Sequence, residues 1–225
     1  MKRVLVVGAG IHGLVTAAKE HLAKNQVYIV EKRSLIGGRG TSENSHGHQL
    51  EHGPHLLLKG GKLHKLLNKL SRVKLSLRPV NPNKVLIAGY GPVLPINSPK
   101  AMLKLKMGQD PVRDGAIKLL SGWGQEIPER EKALMKGKLC VVGEGWAGII
   151  GRLASTLEEV GVPIHTGIEV SEIYDGGVIT VTGQKIQSEN VLFCTGKPTG
   201  TPVKVATLDV VLDNNPLRGM HGLIK

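Results

Sequence analysis

Three glycines at Gly8, Gly10 and Gly13, a carboxylate at Glu31 and the triplet Gly37-Gly38-Arg39 are the residues whose types and spacing could do chemistry. The first set reads Gly-x-Gly-x-x-Gly, with Ile11 and His12 between the last two glycines. Such spacing suits a turn that brings bare backbone against a pyrophosphate. Gly8 permits a tight turn, Gly10 lets the phosphates approach, and Gly13 lets a helix pack close to the preceding strand. A helix starting there offers unpaired N–H groups and a partial positive charge to the phosphates. Glu31 lies 18 residues beyond Gly13 and is followed by Lys32. A carboxylate at that place can accept hydrogen bonds from a ribose diol and repels a 2′-phosphate. Gly37-Gly38-Arg39 adds a second bare backbone and a guanidinium that can wrap the same pyrophosphate. Read one by one, these features also fit a structural strand–helix turn, a strand-ending glutamate and a flexible loop with a surface arginine.

The elements needed to position these residues are legible around them. Residues 3–7 (Arg-Val-Leu-Val-Val) form a β-branched apolar run expected as a buried parallel strand. Residues 11–24 carry Leu14, Ala17, Ala18 and Leu22 at helical spacing, and residues 26–30 form a second buried strand. Together they make a βαβ unit. Residues 34–58 read as loop-rich, and 61–71 as an amphipathic helix through Leu63, Leu66, Leu67 and Leu70. Short strands are expected at 74–78, 84–88 and 93–96, with a turn at Tyr90-Gly91-Pro92 making the last two a hairpin. Residues 99–137 are weakly patterned and mostly helical. A helix follows over 146–160, stopped by Gly161. Strands at 163–166 and 169–174, a hairpin over 178–186 and a final buried strand at 191–194 complete the pattern. The fold class is α/β: an FAD/NAD(P)-binding Rossmann-like parallel sheet with helices, a β-hairpin layer and a small mixed α/β insertion.

Composition narrows the function classes. The chain has 225 residues, 40% of them hydrophobic and 21% charged, so a core can form. Only six residues are aromatic, and the core must rest on Val, Leu and Ile. The net charge is +12, with Lys and Arg spread along the chain and mildly enriched from Lys59 to Lys84. No basic block is interleaved with aromatics, so nucleic acid is not an expected partner. A solvated basic surface is the simpler reading, and attraction to an anionic membrane face is compatible with it. Cys140 and Cys194 are far apart and outside any CxxC pattern, which suits free thiols and a cytoplasmic location. His48, Glu51 and His52 match the letters of the HxxEH zinc motif, but Gly47 and Gly53-Pro54 flank them and the motif needs a helix. No metal is expected. The apolar N-terminus is broken by glycines, so it is read as strand and turn rather than as a signal peptide. No apolar run reaches the length of a membrane span.

The order Val-Gly-Ala-Gly-Ile-x-Gly-Leu, then Val30-Glu31-Lys32, then Gly37-Gly38-Arg39 resembles the FAD-dependent amine oxidase, protoporphyrinogen oxidase and phytoene desaturase superfamily. Residues 47–55, ending Glu51-His52-Gly53-Pro54-His55, are similar to that superfamily's segment ending in an acidic residue, x, Gly-Pro. The resemblance implies that Gly53, Pro54 and His55 run close to a flavin ring. It implies that the backbone at Val170 meets the adenine and that Thr195 and Gly196 pass under the cofactor. It further implies a discontinuous FAD-binding domain over 1–71 and 138–200, a substrate or lid insertion over 72–137, and the start of a second substrate-domain segment over 201–225. The likeness covers about 1–60 and 138–212, while 72–137 matches by position only.

The implied activity is dehydrogenation of an apolar or amine substrate by hydride transfer to FAD. Members of the superfamily run to about twice this length. The chain is therefore expected to be a truncated or split product, a compact relative, or one that needs a partner chain. No catalytic residue is assigned. A non-enzymatic relative of the GDP-dissociation-inhibitor type and a plain NAD-dependent dehydrogenase domain are the alternatives. A second Gly-x-Gly-x-x-Gly at Gly143, Gly145 and Gly148 reads as the chain's return to the first domain rather than as another dinucleotide site.

Overall fold

In the computed structural model the described residues are 1–45, 47–51, 56–70, 75–81, 85–87, 94–95, 136–195 and 222–224. The strand β1 (Arg3–Val7), the helix α1 (Ile11–Leu22) and the strand β2 (Gln26–Glu31) form the expected βαβ unit. The helix ends at Leu22, the last of the spaced apolar residues and two residues before the expected end at 24. Lys24 takes a left-handed φ of 66°, and the Asn25 N–H closes back on the Glu20 carbonyl at 3.1 Å.

A 3₁₀ turn at Gly38–Gly40 leads into an antiparallel hairpin of β3 (Ser42–Ser45) and β4 (His48–Glu51). The stretch expected to be loop-rich is thus more ordered than its glycines suggest. Because His48–Glu51 is a strand, it lacks the helix that the HxxEH letters require. β5 (Leu56–Leu58), the helix α2 (Lys62–Leu70) and β6 (Leu77–Pro79) follow. β7 (Val85–Ile87) and β8 (Leu94–Pro95) pair antiparallel, as the expected hairpin requires. Residues 99–135, where a mostly helical pattern was expected, lie outside the described residues.

β9 (Leu139–Val142) enters between β5 and β6 in a three-stranded antiparallel sheet, so β6, from the stretch expected to be an insertion, pairs with a strand that follows it. The helix α3 (Gly145–Glu159) is stopped at Gly161, whose φ of +86° and N–H bond to the Glu158 carbonyl close the last turn. Then come β10 (Ile164–Thr166), β11 (Val170–Tyr174), β12 (Gly177–Thr180), β13 (Lys185–Gln187) and β14 (Asn190–Phe193). β15 (Gly222–Ile224) pairs parallel with β7.

The central sheet is four-stranded, in the order β10-β2-β1-β14, and every pairing in it is parallel. Strand periodicity divides its side chains between two layers. Val4 and Val6 face α1 and α3, where they join Leu14, Ala17, Ile149 and Leu153 in the larger core. Leu5 and Val7 face the antiparallel meander β11-β12-β13, packing on Val178 and Ile186. An αβ-over-meander sandwich results, of the Rossmann-like α/β class expected. β14 differs from its expected burial: among the described residues it is the sheet's edge, half-buried, and Phe193 is 44% exposed.

Candidate functional site

The two glycine loops meet at the carboxyl ends of β1 and β2. Gly8 turns the chain with φ +104°, and its N–H donates to the Val30 carbonyl at 2.7 Å. Gly37, at φ +113°, donates to the Ala9 carbonyl at 2.9 Å and forms a parallel bridge with Gly10. The Gly10 stretch and the Gly37-Gly38 stretch are therefore zipped side by side. A Cβ on Gly38 would lie 3.4 Å from the Gly10 Cα.

Close approach is sharpest at Gly13. A Cβ there would stand 1.8 Å from the Gly8 carbonyl oxygen, so the first turn of α1 rests directly on the turn that ends β1. Gly10 is different. It has an ordinary φ of −74°, and the nearest atom to an added Cβ is 3.9 Å away. Among the described residues nothing requires a glycine at Gly10, and space for a ligand is a reason for one.

Glu31 is 9% exposed and tied into the same loop. Its Oε2 accepts the Ala9 N–H at 2.8 Å, and its Oε1 accepts the Arg33 N–H at 3.0 Å. A carboxylate has about four acceptor positions, so two remain for other donors. Spacing alone did not reveal that Glu31 also braces the loop. Lys32 is exposed, its ammonium 3.9 Å from the Glu169 carboxylate beside Val170. His12 and Arg39 are exposed, on the first turn of α1 and on the 3₁₀ turn. Val170 begins the meander opposite Thr180, and Thr195 is exposed beside Gly8. Gly53, Pro54, His55 and Gly196 lie outside the described residues.

The starts of α1 and α3 differ. α1 has no acidic residue in its first turn and no side-chain cap. Among the described residues no side chain accepts from the N–H of Ile11, His12 or Gly13, so this positive end is open to an anion. At α3, Oε1 of Glu51 accepts the Trp146 N–H at 2.6 Å. Glu144 at the cap also pairs with Arg152. The Glu51 carboxylate thus occupies a place a phosphate would take, and the preceding strand β9 belongs to an antiparallel sheet. The second Gly-x-Gly-x-x-Gly is therefore no second dinucleotide cradle. Glu51→Gln should weaken this cap by about 1–2 kcal/mol. Its melting temperature should fall by a few degrees in a thermal scan, with the α1 loop unaffected.

The thiols offer no nucleophile. Burial raises Cys140 above the ordinary thiol range against the lowering effect of Lys59, and burial raises Cys194 against its contact with Thr16. Both stay protonated at neutral pH. Among the described residues no group of three or more His, Cys, Asp or Glu side chains is placed to hold a metal.

Fold and loop together define a Rossmann-like dinucleotide-binding unit. Residues 6–70 match the NAD(P)-binding Rossmann-like domain family. A phytoene desaturase of Fusarium fujikuroi is 39% identical over 69 residues, which is 31% of this chain and 12% of that protein. Among solved structures, the PF1083 protein of Pyrococcus furiosus superposes with a TM-score of 0.64 at 23% identity, over 86% of this chain and 59% of that one. A putrescine oxidase variant gives 0.58 at 16% identity, over 84% and 57%. The Rab GDI of Plasmodium falciparum gives 0.54 at 12% identity, over 85% and 65%. The chain thus spans a small part of the desaturase it matches and about three fifths of these structures.

Proposed function

We propose that this chain binds FAD and serves an oxidoreductase that dehydrogenates an apolar or amine substrate. The carrying observation is the open, uncapped start of α1 set against a buried glutamate and zipped to a second glycine turn. The phosphates would rest on the N–H groups of Ile11, His12 and Gly13, beside Gly10, Gly37 and Gly38. Arg39 would approach them from the 3₁₀ turn, and Glu31 would accept from the ribose. Val170 would face the adenine. Gly53, Pro54, His55, Thr195 and Gly196 would line the flavin side, as the sequence resemblance implies. When bound, the flavin supplies the hydride acceptor, and the protein contributes orientation and exclusion of water.

A long apolar polyene is the substrate class favoured by the desaturase relatives, and an amine the one favoured by the oxidase. The fold itself is shared by an oxidase and by a Rab GDI, so the loop must decide between catalysis and mere binding. Its complete glycine set supports the first. Two free thiols fit a reducing compartment, and a cytoplasmic location is part of this reading. So is a partner chain that contributes to the substrate pocket.

The test is the visible spectrum of the purified chain with and without added FAD. Flavin absorbance should co-purify or titrate in, and Gly10→Ala should remove it while the far-ultraviolet dichroism stays unchanged. A colourless protein that binds NAD and not FAD would overturn the proposal.

A further inference from the structure

We infer that the lysine-bearing surface around α2 is a docking face for an anionic lipid bilayer. The sequence between Glu51 and Asp110 contains eleven Lys and Arg residues and not one Asp or Glu. This single stretch therefore carries eleven of the chain's twelve net positive charges. What is segregated is the acid: lysines and arginines are spread along the chain, but their counter-charges are not.

The described part of this stretch turns its charges outward. Lys59, Lys62, Lys65, Lys69 and Arg78 are all exposed. Among the described residues none of them forms an ion pair. On α2, Lys62, Lys65 and Lys69 recur at intervals of three and four residues and form one stripe. Leu67 is buried in the core, and Leu63 packs partly buried against it. The Lys59 N–H bonds to the Lys138 carbonyl at 2.8 Å, which places a further exposed lysine beside the first. The local field is felt by His64, whose pKa is held below the ordinary imidazole value by burial and by Lys59.

The chemistry of the face selects the partner. Unbalanced like charges repel one another, and a negative surface relieves that repulsion. The charges are mostly ammonium groups, which act as compact point charges toward phosphate and carboxylate headgroups. Single-stranded nucleic acid is gripped by stacking on aromatic rings, and residues 52–109 contain only Tyr90. No described helix is long and apolar enough to cross a membrane, and the contact inferred from this charge is peripheral and electrostatic. It stands whether or not the flavin reading holds.

Sedimentation of the full chain with phosphatidylcholine vesicles, with and without phosphatidylserine, tests the inference. Binding should require phosphatidylserine and should fall steeply with added salt. Each basic residue at such a surface contributes about a fivefold factor in partitioning. Lys62→Gln/Lys65→Gln/Lys69→Gln should therefore bind at least about tenfold more weakly, with its helix intact because Gln and Lys have similar helix propensity. Lys2→Gln/Lys19→Gln/Lys185→Gln removes the same charge outside the stretch and should bind nearly as the parent does. Equal losses in the two triple variants, binding to pure phosphatidylcholine, no vesicle binding at low salt, or tighter binding to a single-stranded oligonucleotide than to the vesicles would each overturn it.

Discussion

Gly13→Ala should destabilise the protein by about 3 kcal/mol, toward the upper end of the overpacking range, and abolish dinucleotide binding. The added methyl would stand 1.8 Å from the Gly8 carbonyl oxygen and 2.9 Å from its carbonyl carbon. Both are backbone atoms of a turn already fixed by the Gly8 N–H bond to Val30, so no flexible side chain can yield. Relief requires α1 to move away from β1, and that pulls Leu14, Ala17 and Ala18 out of the fully buried layer against Val4 and Val6. For a chain of this size the melting temperature should drop by about 6–12 °C. Gly10→Ala is the matched control. Among the described residues its methyl meets nothing closer than 3.9 Å, so it should melt with the parent and lose only the ligand. Thermal melting and flavin absorbance measured on both variants separate the two roles. Parent-like melting of Gly13→Ala would sink the close-packing account.

That contrast bears on what the residues alone could tell. The strand–turn–helix around Gly8, Gly10 and Gly13 was legible because three signals coincide: β-branched run, glycine spacing and helical periodicity. The parallel strands at 3–7 and 26–31 and the helices at 62–70 and 145–159 were legible for the same reason, that a buried face imposes a period. Less visible were features made by distant partners. Ser42–Ser45 and His48–Glu51 form a hairpin although their sequences are polar and glycine-flanked, because each supplies the other's hydrogen bonds. The cap that Glu51 provides for α3 spans 95 residues, and no local spacing encodes it. The edge position of β14 is likewise a matter of sheet order, which an apolar tetrapeptide does not specify. Charge segregation is hard to see for another reason: counting cations along the chain conceals a stretch from which only the anions are missing.

Glu31→Ala should act on stability and binding together, as Gly13→Ala does, but through lost hydrogen bonds rather than a steric clash. The carboxylate joins the end of β2 to the Ala9 N–H inside the first glycine loop and to the Arg33 N–H beyond the strand. Ala9 is fully buried, so truncation leaves its N–H without water or partner. A hydrogen bond to a charged group contributes about 1.5–3 kcal/mol, and an orphaned buried donor costs about 1–3 kcal/mol. Losing both anchors should therefore cost about 3–4 kcal/mol of stability before any ligand is considered. Ligand affinity should fall further, by about ten- to a hundredfold for each ribose hydrogen bond lost. Glu31→Gln keeps one acceptor oxygen and turns the other position into a donor facing an N–H. It should show an intermediate melting temperature, weaker FAD binding, and reduced discrimination against a 2′-phosphate because the repelling charge is gone. Calorimetric titration of both variants with FAD, NAD and NADP, beside their melting curves, would test this. If Glu31→Gln melted with the parent while losing FAD, the carboxylate would serve the ligand alone, and its bond to Ala9 would be incidental to the fold.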